Sequence, residues 1–264
     1  GTPNTNIRSV MQRNATPEKL TEVTTHNLAA LEKMIDYNRK NNIKLFRISS
    51  DLIPFGSSSV NALPWWDSHA EAFQHIGAKI QKSSMRVSFH PGQYTVLNSP
   101  DEDVVARAIL DLAYHAKMLE CLGVDNQHKI VLHVGGIYGD KKEALERFEQ
   151  NFRRLPEAVR NRLIIENDDR LYNIEEVLEL AHRLQIPAVY DNLHHAINPP
   201  PSRGTDPYWI AEANKTWKAA DGNQKIHYSQ QAPGKRPGAH TDTIDLETFL
   251  TFHEQLEDKL IDIM

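Results

Sequence analysis

The fold predicted for this sequence is α/β, a (β/α)8 barrel of the TIM class forming a single domain over residues 1–264. Three observations predict it. Short apolar runs alternate with helical repeats along the whole chain, and no two runs suggest a hairpin, which is the signature of βαβ units and a parallel sheet. Seven strand-like runs can be counted, the first helix has no strand before it, and the last strand is short, so the barrel is expected to be truncated in its first and last strands. Five runs end on a metal-capable or acid/base side chain just before a loop, and barrel active sites lie at the carboxyl ends of strands. A doubly wound open sheet is the alternative. No Gly-x-Gly-x-x-Gly or P-loop pattern follows any strand, which weakens it.

The elements follow in order. Residues 1–15 are polar and show no strand. Thr16 caps a helix with Pro17 at its first position and Glu18 in the first turn, and Leu20, Val23, Leu28, Leu31, Met34 and Ile35 keep helical spacing to about Asn41. Lys44–Ser50 reads as a strand, and the adjacent Trp65 and Trp66, expected to pack under a loop, precede a helix from about Ser68 to Lys82. Arg86–His90 is a strand stopped by Pro91-Gly92. Ser99-Pro100-Asp101-Glu102 reads as a capping box opening a long helix that ends at Gly123. Strand Lys129–Val134, helix Lys141–Arg154 and strand Leu163–Glu166 come next, then a helix capped from Asn173 to Glu176 that runs to about Leu184. Strand Ala188–Asp191 leads to a stiff Pro-rich loop over 198–204, and Asp206-Pro207 starts a helix expected to contain Trp209 and Trp217. Strand Lys225–Tyr228, the loop Ser229–Thr243, a helix from about Asp245 to Lys259 and a strand from Ile261 close the chain.

Composition narrows the function classes. With 40% hydrophobic and 25% charged residues, 264 residues suffice for a large core. No run approaches the roughly 18 apolar residues of a membrane helix, so no membrane association is expected. The polar start (Gly1-Thr2-Pro3-Asn4) shows no signal peptide, and the lone Cys121 sits on an apolar helical pattern and reads as a buried, inert thiol. A cytoplasmic monomer is the expectation. The net charge of −5 lacks the basic excess frequent in nucleic-acid binders. Bound divalent cations would offset part of it if the carboxylates cluster.

In a strand, residues two apart share a face. Ser88 and His90, Val131 and His133, Ile164 and Glu166, Val189 and Asp191, and Lys225 and His227 form one consistent inward parity. His194 lies three residues beyond Asp191, and His240 falls in the following long loop. Any one such histidine is more often a hydrogen-bonded core or surface residue. Five in-phase strand ends are another matter, because burying that many ionisable groups together is costly without compensating charge. Divalent ions supply it, and mixed imidazole and carboxylate donors suit Zn²⁺, Mn²⁺ or Fe²⁺ better than Ca²⁺. Glu166 and Asp191 are candidates to bridge two metals that activate water and stabilise a phosphoryl displacement. Lys225 is tolerable beside such ions if neutral, if it touches an anionic substrate oxygen, or if CO₂ carbamylates it into a ligand.

These residues resemble the UV damage endonucleases. The resemblance rests on Leu45-Phe46-Arg47-Ile48-Ser49-Ser50, Phe89-His90-Pro91-Gly92-Gln93-Tyr94, Leu132-His133-Val134-Gly135-Gly136 and Glu166-Asn167-Asp168. It continues through Asp191-Asn192-Leu193-His194, Lys225-Ile226-His227-Tyr228-Ser229 and Gly238-Ala239-His240 and covers nearly the whole chain in order. It implies a TIM-barrel relative of endonuclease IV that cuts damaged double-stranded DNA immediately 5′ to cyclobutane dimers, (6-4) photoproducts and some other lesions. It further implies two or three divalent metals, Mn²⁺ first, held by His90, His133, Glu166, Asp191, His194, His227 and His240. Glu166, Lys225 and His227 would be catalytic, with Lys225 matching a family lysine that can be carbamylated. Gln93 and Tyr94 would be probes pushed into the helix opposite the lesion, and an amide and an aromatic on a loop can fill such a gap and stack. The Lys235-Arg236 pair in its Gly/Pro loop also fits an extended polyanion. The family's opening strand, a glutamate at the end of its last strand and a histidine in the loop at Ser57–Ser59 have no counterpart here. The competing readings are a metal-dependent sugar isomerase or epimerase on a xylose-isomerase-like barrel, and an inactive damaged-DNA-binding remnant.

Overall fold

The computed structural model describes residues 4–257 and 260–264. The last helix, expected to run to about Lys259, ends at Glu254, where Gln255 caps it and residues 255–257 leave the helical path; residues 258 and 259 and the first three residues of the polar start lie outside the described ones. Contacts sort the chain into two units, one of Gly1–Thr95, Asp101–Ile130 and Arg154–Arg162, the other of Val96–Pro100, Val131–Arg153 and Leu163–Met264. The fold is α/β with parallel strands, as the alternation of runs predicts.

In the first unit, α1 (Pro17–Lys40) starts where expected, the Thr16 side chain accepting the Lys19 N–H and Pro17 standing at the first position. Its apolar stripe, Leu20, Val23, Leu28, Leu31 and Ile35, is buried. Asn27, polar yet at 0% exposure, is satisfied there: its amide donates to the carbonyls of Arg8 and Leu52 and its oxygen accepts the Arg8 N–H. β1 (Leu45–Arg47) pairs in parallel with β2 (Arg86–Ser88). β1 is shorter than the predicted run because Ser49 caps a 3₁₀ turn, Ser50–Leu52. The short α2 (Trp65–Ser68) buries Trp65 against Phe73 and Tyr114, while Trp66 is half-exposed. α3 (Ala70–Lys82) packs on α1, tied by Lys79 to Glu32 and Asp36. At Gly77 a Cβ would lie 1.9 Å from the Leu122 carbonyl oxygen, so only glycine allows α3 to approach the end of α4 (Glu102–Cys121). Asp101, not Ser99, caps α4, accepting from the Asp103 and Val104 amides. An acidic side chain at that position also faces the positive helix end. The one-turn α6 (Glu157–Arg160), not anticipated, belongs to this unit.

Apart from Ile130 at its start, the second unit carries the parallel sheet β3 (Ile130–His133), β4 (Leu163–Glu166), β5 (Ala188–Asp191), β6 (Lys225–His227) and β7 (Asp262–Ile263), in that spatial order. Each strand is reached through helical segments: α5 (Lys141–Arg154), α7 (Ile174–Leu184), α8 (Asn192–Ile197) with α9 (Asp206–Asn214), and α10 (Leu246–Glu254). The reciprocal capping box of Asn173 and Glu176 opens α7. The register pairs Glu166 with Val189 and Asp191 with His227. Val131, Ile164 and Val189, three side chains of the predicted inward parity, form one buried cluster, with Trp217 packed on it. Trp217 is not on the helix with Trp209. α9 ends at Asn214, and the Trp217 indole N–H donates to the Ala188 carbonyl at 2.8 Å, seating the ring against the sheet. Among the described residues no helix is long and apolar enough to cross a membrane.

Candidate functional site

The inward parity that buries Val131, Ile164 and Val189 puts His133, Glu166 and Asp191 on the same face two residues later, at the carboxyl ends of three neighbouring strands. Glu166, Asp191 and His227 each bring a ligand atom within 4.8 Å of the others. The His227 Nδ1–H donates to Glu166 Oε1 at 2.5 Å. His133 Nε2 stands 3.7 Å from Glu166 Oε2, and His194 Nδ1 stands 3.9 Å from Glu166 Oε1 and 3.8 Å from Asp191 Oδ2. His194 is held by donating Nδ1–H to the Asn167 carbonyl at 2.8 Å, which leaves Nε2 as the bare nitrogen. Lys225 lies two residues before His227, fully buried on the same face.

The electrostatics explain why this cluster is unusual. Glu166 is 1% and Asp191 3% exposed. Burial first, then the neighbouring Glu166 carboxylate, pushes Asp191 up to about 7. Burial opposes a charge on His194, but Asp191 and Glu166 outweigh it and raise its pKa. Two buried carboxylates held together and faced by three imidazoles are a donor set that a divalent transition ion would neutralise, so these residues fit the group the sequence implies.

Two asparagines keep the strand ends aligned. Asn167, 0% exposed, accepts the Asp191 N–H at 2.9 Å and donates to the Asp191 carbonyl at 3.1 Å. Asn192 does the same one strand on, accepting the Ser229 N–H at 2.8 Å and donating to the Ser229 carbonyl at 3.0 Å. Each stands directly after a carboxylate, Glu166 or Asp191, and clasps the end of the next strand. The sequence carries Glu-Asn and Asp-Asn at consecutive strand ends, the one signal of this clasp, but nothing in it pairs either asparagine with its partner. The loop after His133 is held in a similar way: Asn98 donates to the Gly136 carbonyl at 2.6 Å, and Gly135, with φ +111°, has no room for a Cβ beside Asn98 Oδ1.

The remaining residues of interest sit in loops. His240 is exposed in the 229–243 loop, bridged to Gln231, and its ring is not among the grouped ligand atoms of the described residues. Gln231 staples that loop, donating to the Ala232 and Arg236 carbonyls and accepting the Gly238 N–H, so that exposed Lys235 and Arg236 sit at a braced tip. In the first unit, His90 follows β2 and donates Nδ1–H to the Pro91 carbonyl at 3.1 Å. Gln93 and Tyr94 occupy the middle of a turn closed by the Thr95 N–H on the Gly92 carbonyl at 3.0 Å, and Tyr94 is 84% exposed. A cavity of about 630 Å³ opens beside this turn, lined by Phe55, His90, Tyr94, Arg107 and Tyr114 among others.

A family model described as UV-endonuclease UvdE matches residues 3–264. The "UV DNA damage endonuclease" of Clostridium perfringens (strain 13 / Type A) is 41% identical over 262 residues, 97% of this chain, which spans 62% of that relative's length. The solved structure described as "Crystal Structure of SacUVDE" superposes with a TM-score of 0.92 at 37% identity, over 97% of this chain and 86% of that one. Endonuclease IV from Thermus thermophilus shares the fold, with a TM-score of 0.53 at 18% identity over 80% of this chain and 77% of that one.

Proposed function

The chain belongs to the UV-endonuclease UvdE family, and from that premise we propose that it is a metal-dependent DNA repair endonuclease cutting the phosphodiester backbone immediately 5′ to UV photoproducts in double-stranded DNA. The observation that carries this reading is the buried Glu166–Asp191–His227 cluster at the carboxyl ends of adjacent parallel strands. Divalent ions bound there, Mn²⁺ first, would supply Lewis-acid stabilisation of phosphoryl oxygens and a water acidified for attack. Glu166 and Asp191 would hold such ions, with His133, His194 and His227 as imidazole partners and His90 and His240 as further ligands by family resemblance. Glu166, Lys225 and His227 form the catalytic group. Lys225 is a phosphate-oxygen contact, and its carbamylation into a ligand is the alternative chemistry for the same position. Gln93 and Tyr94 probe the stack opposite a lesion, while Lys235 and Arg236 contact the sugar-phosphate backbone.

Supercoiled plasmid nicking tests the proposal. Irradiated plasmid should be nicked in the presence of Mn²⁺, with breaks mapping 5′ to pyrimidine dimers, while unirradiated plasmid and EDTA-treated reactions stay intact. Interconversion of ketoses without nicking would establish the sugar-epimerase reading instead, and a gel shift without nicking the inactive-remnant reading. Dialysed protein that takes up no transition metal would remove the metal-dependent chemistry.

A further inference from the structure

We propose that Asp111 and His115, one turn apart on α4, are positioning residues that hold the segment Phe89–Thr95 at both ends and keep the Gln93–Tyr94 turn preformed for insertion into damaged DNA; the inference rests on the endonuclease reading. At the far end of the segment, the Thr95 hydroxyl donates to Asp111 Oδ2 at 2.7 Å, a charge-assisted bond, and Thr95 is only 8% exposed. At the near end, the fully buried Phe89 ring meets the His115 ring edge-on at a centroid distance of 5.1 Å. His115 itself cannot swing. It is 0% exposed, its Nδ1–H donates to the Asp111 carbonyl at 2.7 Å, and its Nε2 accepts from Ser50 Oγ at 2.9 Å. Residues four apart share one helix face, so a single turn of α4 grips both ends.

The base and the apex of the segment are built differently. Its base is buried and hydrogen-bonded, whereas Tyr94 at the apex is 84% exposed. A large aromatic gains nothing for stability in that position, and a free loop carrying it would lose conformational entropy each time it inserted. Latching the base to a helix places that ordering in the folded protein, before DNA arrives. Nothing in the turn's own sequence requires the latch, because its partner lies 16 residues away on α4.

The test uses Thr95→Val, which is near-isosteric and removes only the donor, with Asp111→Ala and its conservative counterpart Asp111→Asn. Affinity is read without divalent metal on a duplex carrying one cyclobutane dimer and on the same duplex undamaged, beside amide hydrogen exchange over residues 92–95 and thermal melting. Thr95→Val and Asp111→Ala should weaken dimer binding by about tenfold, the worth of one net hydrogen bond to a charged group. Undamaged duplex should change by less than about twofold, because its affinity rests on phosphate contacts. The 92–95 amides should exchange faster while the melting temperature of Thr95→Val holds, and Asp111→Asn, still an acceptor, should restore the dimer preference. Thr95→Val with wild-type exchange and dimer affinity overturns the proposal, as does equal weakening on both duplexes. Should the wild-type protein show no dimer preference, the endonuclease reading fails by itself; exchange then decides the latch, with faster exchange in Thr95→Val upholding it and unchanged exchange overturning it.

Discussion

His128→Asn should flatten one specific part of the protein's pH–stability profile. His128 sits before β3, and its Nδ1 accepts the Val87 N–H of β2 at 3.0 Å, so the ring is held in the tautomer with Nδ1 bare. Burial, followed by the Arg86 and Arg162 cations against the pull of Asp125, lowers its pKa to about 4. The unfolded chain's histidine titrates near its ordinary value of about 6.5. Below that pH the unfolded state binds a proton that the folded state refuses, so stability is present above about 6.5 and is lost as pH falls towards 4. The gap between the two values sets a ceiling of about 3 kcal/mol on the loss, and the side chain's 12% exposure leaves little solvent screening to reduce it. Asparagine can offer its Oδ1 to the Val87 amide and does not titrate. Its packing cost is the same at every pH, and the other titrating groups, Asp191 included, are common to both proteins and cancel in the difference. Urea unfolding followed by tryptophan fluorescence at pH 7.5, 6.0, 5.0 and 4.0 would measure it. The wild type's advantage over the variant should shrink by up to about 3 kcal/mol across that range. An advantage independent of pH would refute the argument that His128 is held neutral.

Glu166→Gln should abolish nicking of irradiated plasmid, beyond the roughly 100-fold loss typical of an outer partner of a metal ligand, while binding of damaged duplex persists; wild-type turnover would take Glu166 out of the chemistry. Tyr94→Ala should weaken binding to a dimer-containing duplex by about 1–3 kcal/mol, one stacking contact, and equal losses on undamaged duplex in fluorescence anisotropy would show that it is no probe. Asn167→Ala strands the Asp191 N–H and carbonyl in a buried site, so unfolding stability should drop by about 1–3 kcal/mol and titrated Mn²⁺ should bind more weakly; unchanged metal affinity would make the clasp a purely structural feature.

What the sequence determined by itself is whatever is encoded over a few residues. The period-two pattern in Val131–His133, Ile164–Glu166 and Val189–Asp191 placed the strand-end groups on one face, because a strand's alternation leaves no other choice once its apolar residues are buried. Thr16-Pro17, Asn173–Glu176 and Gly123 marked helix ends correctly for the same reason: a cap is chemistry between neighbours. Short-range competition could mislead even there, since Ser99 and Asp101 both suit an N-cap and the helix chose the acid. Tertiary structure alone decided what depends on residues distant in the chain. It put Trp217 under the sheet rather than on α9 and brought His227 to Glu166 across 61 residues. It grouped Glu166 and Asp191 with His227 while leaving the His240 ring out, and it joined Thr95 to Asp111 and Asn167 to Asp191. These are pairings between individual side chains and groups far apart in the chain, with no periodicity to announce them. Their partners become neighbours only after the strands have taken their register, so the sequence holds both halves of each bond without indicating which belong together.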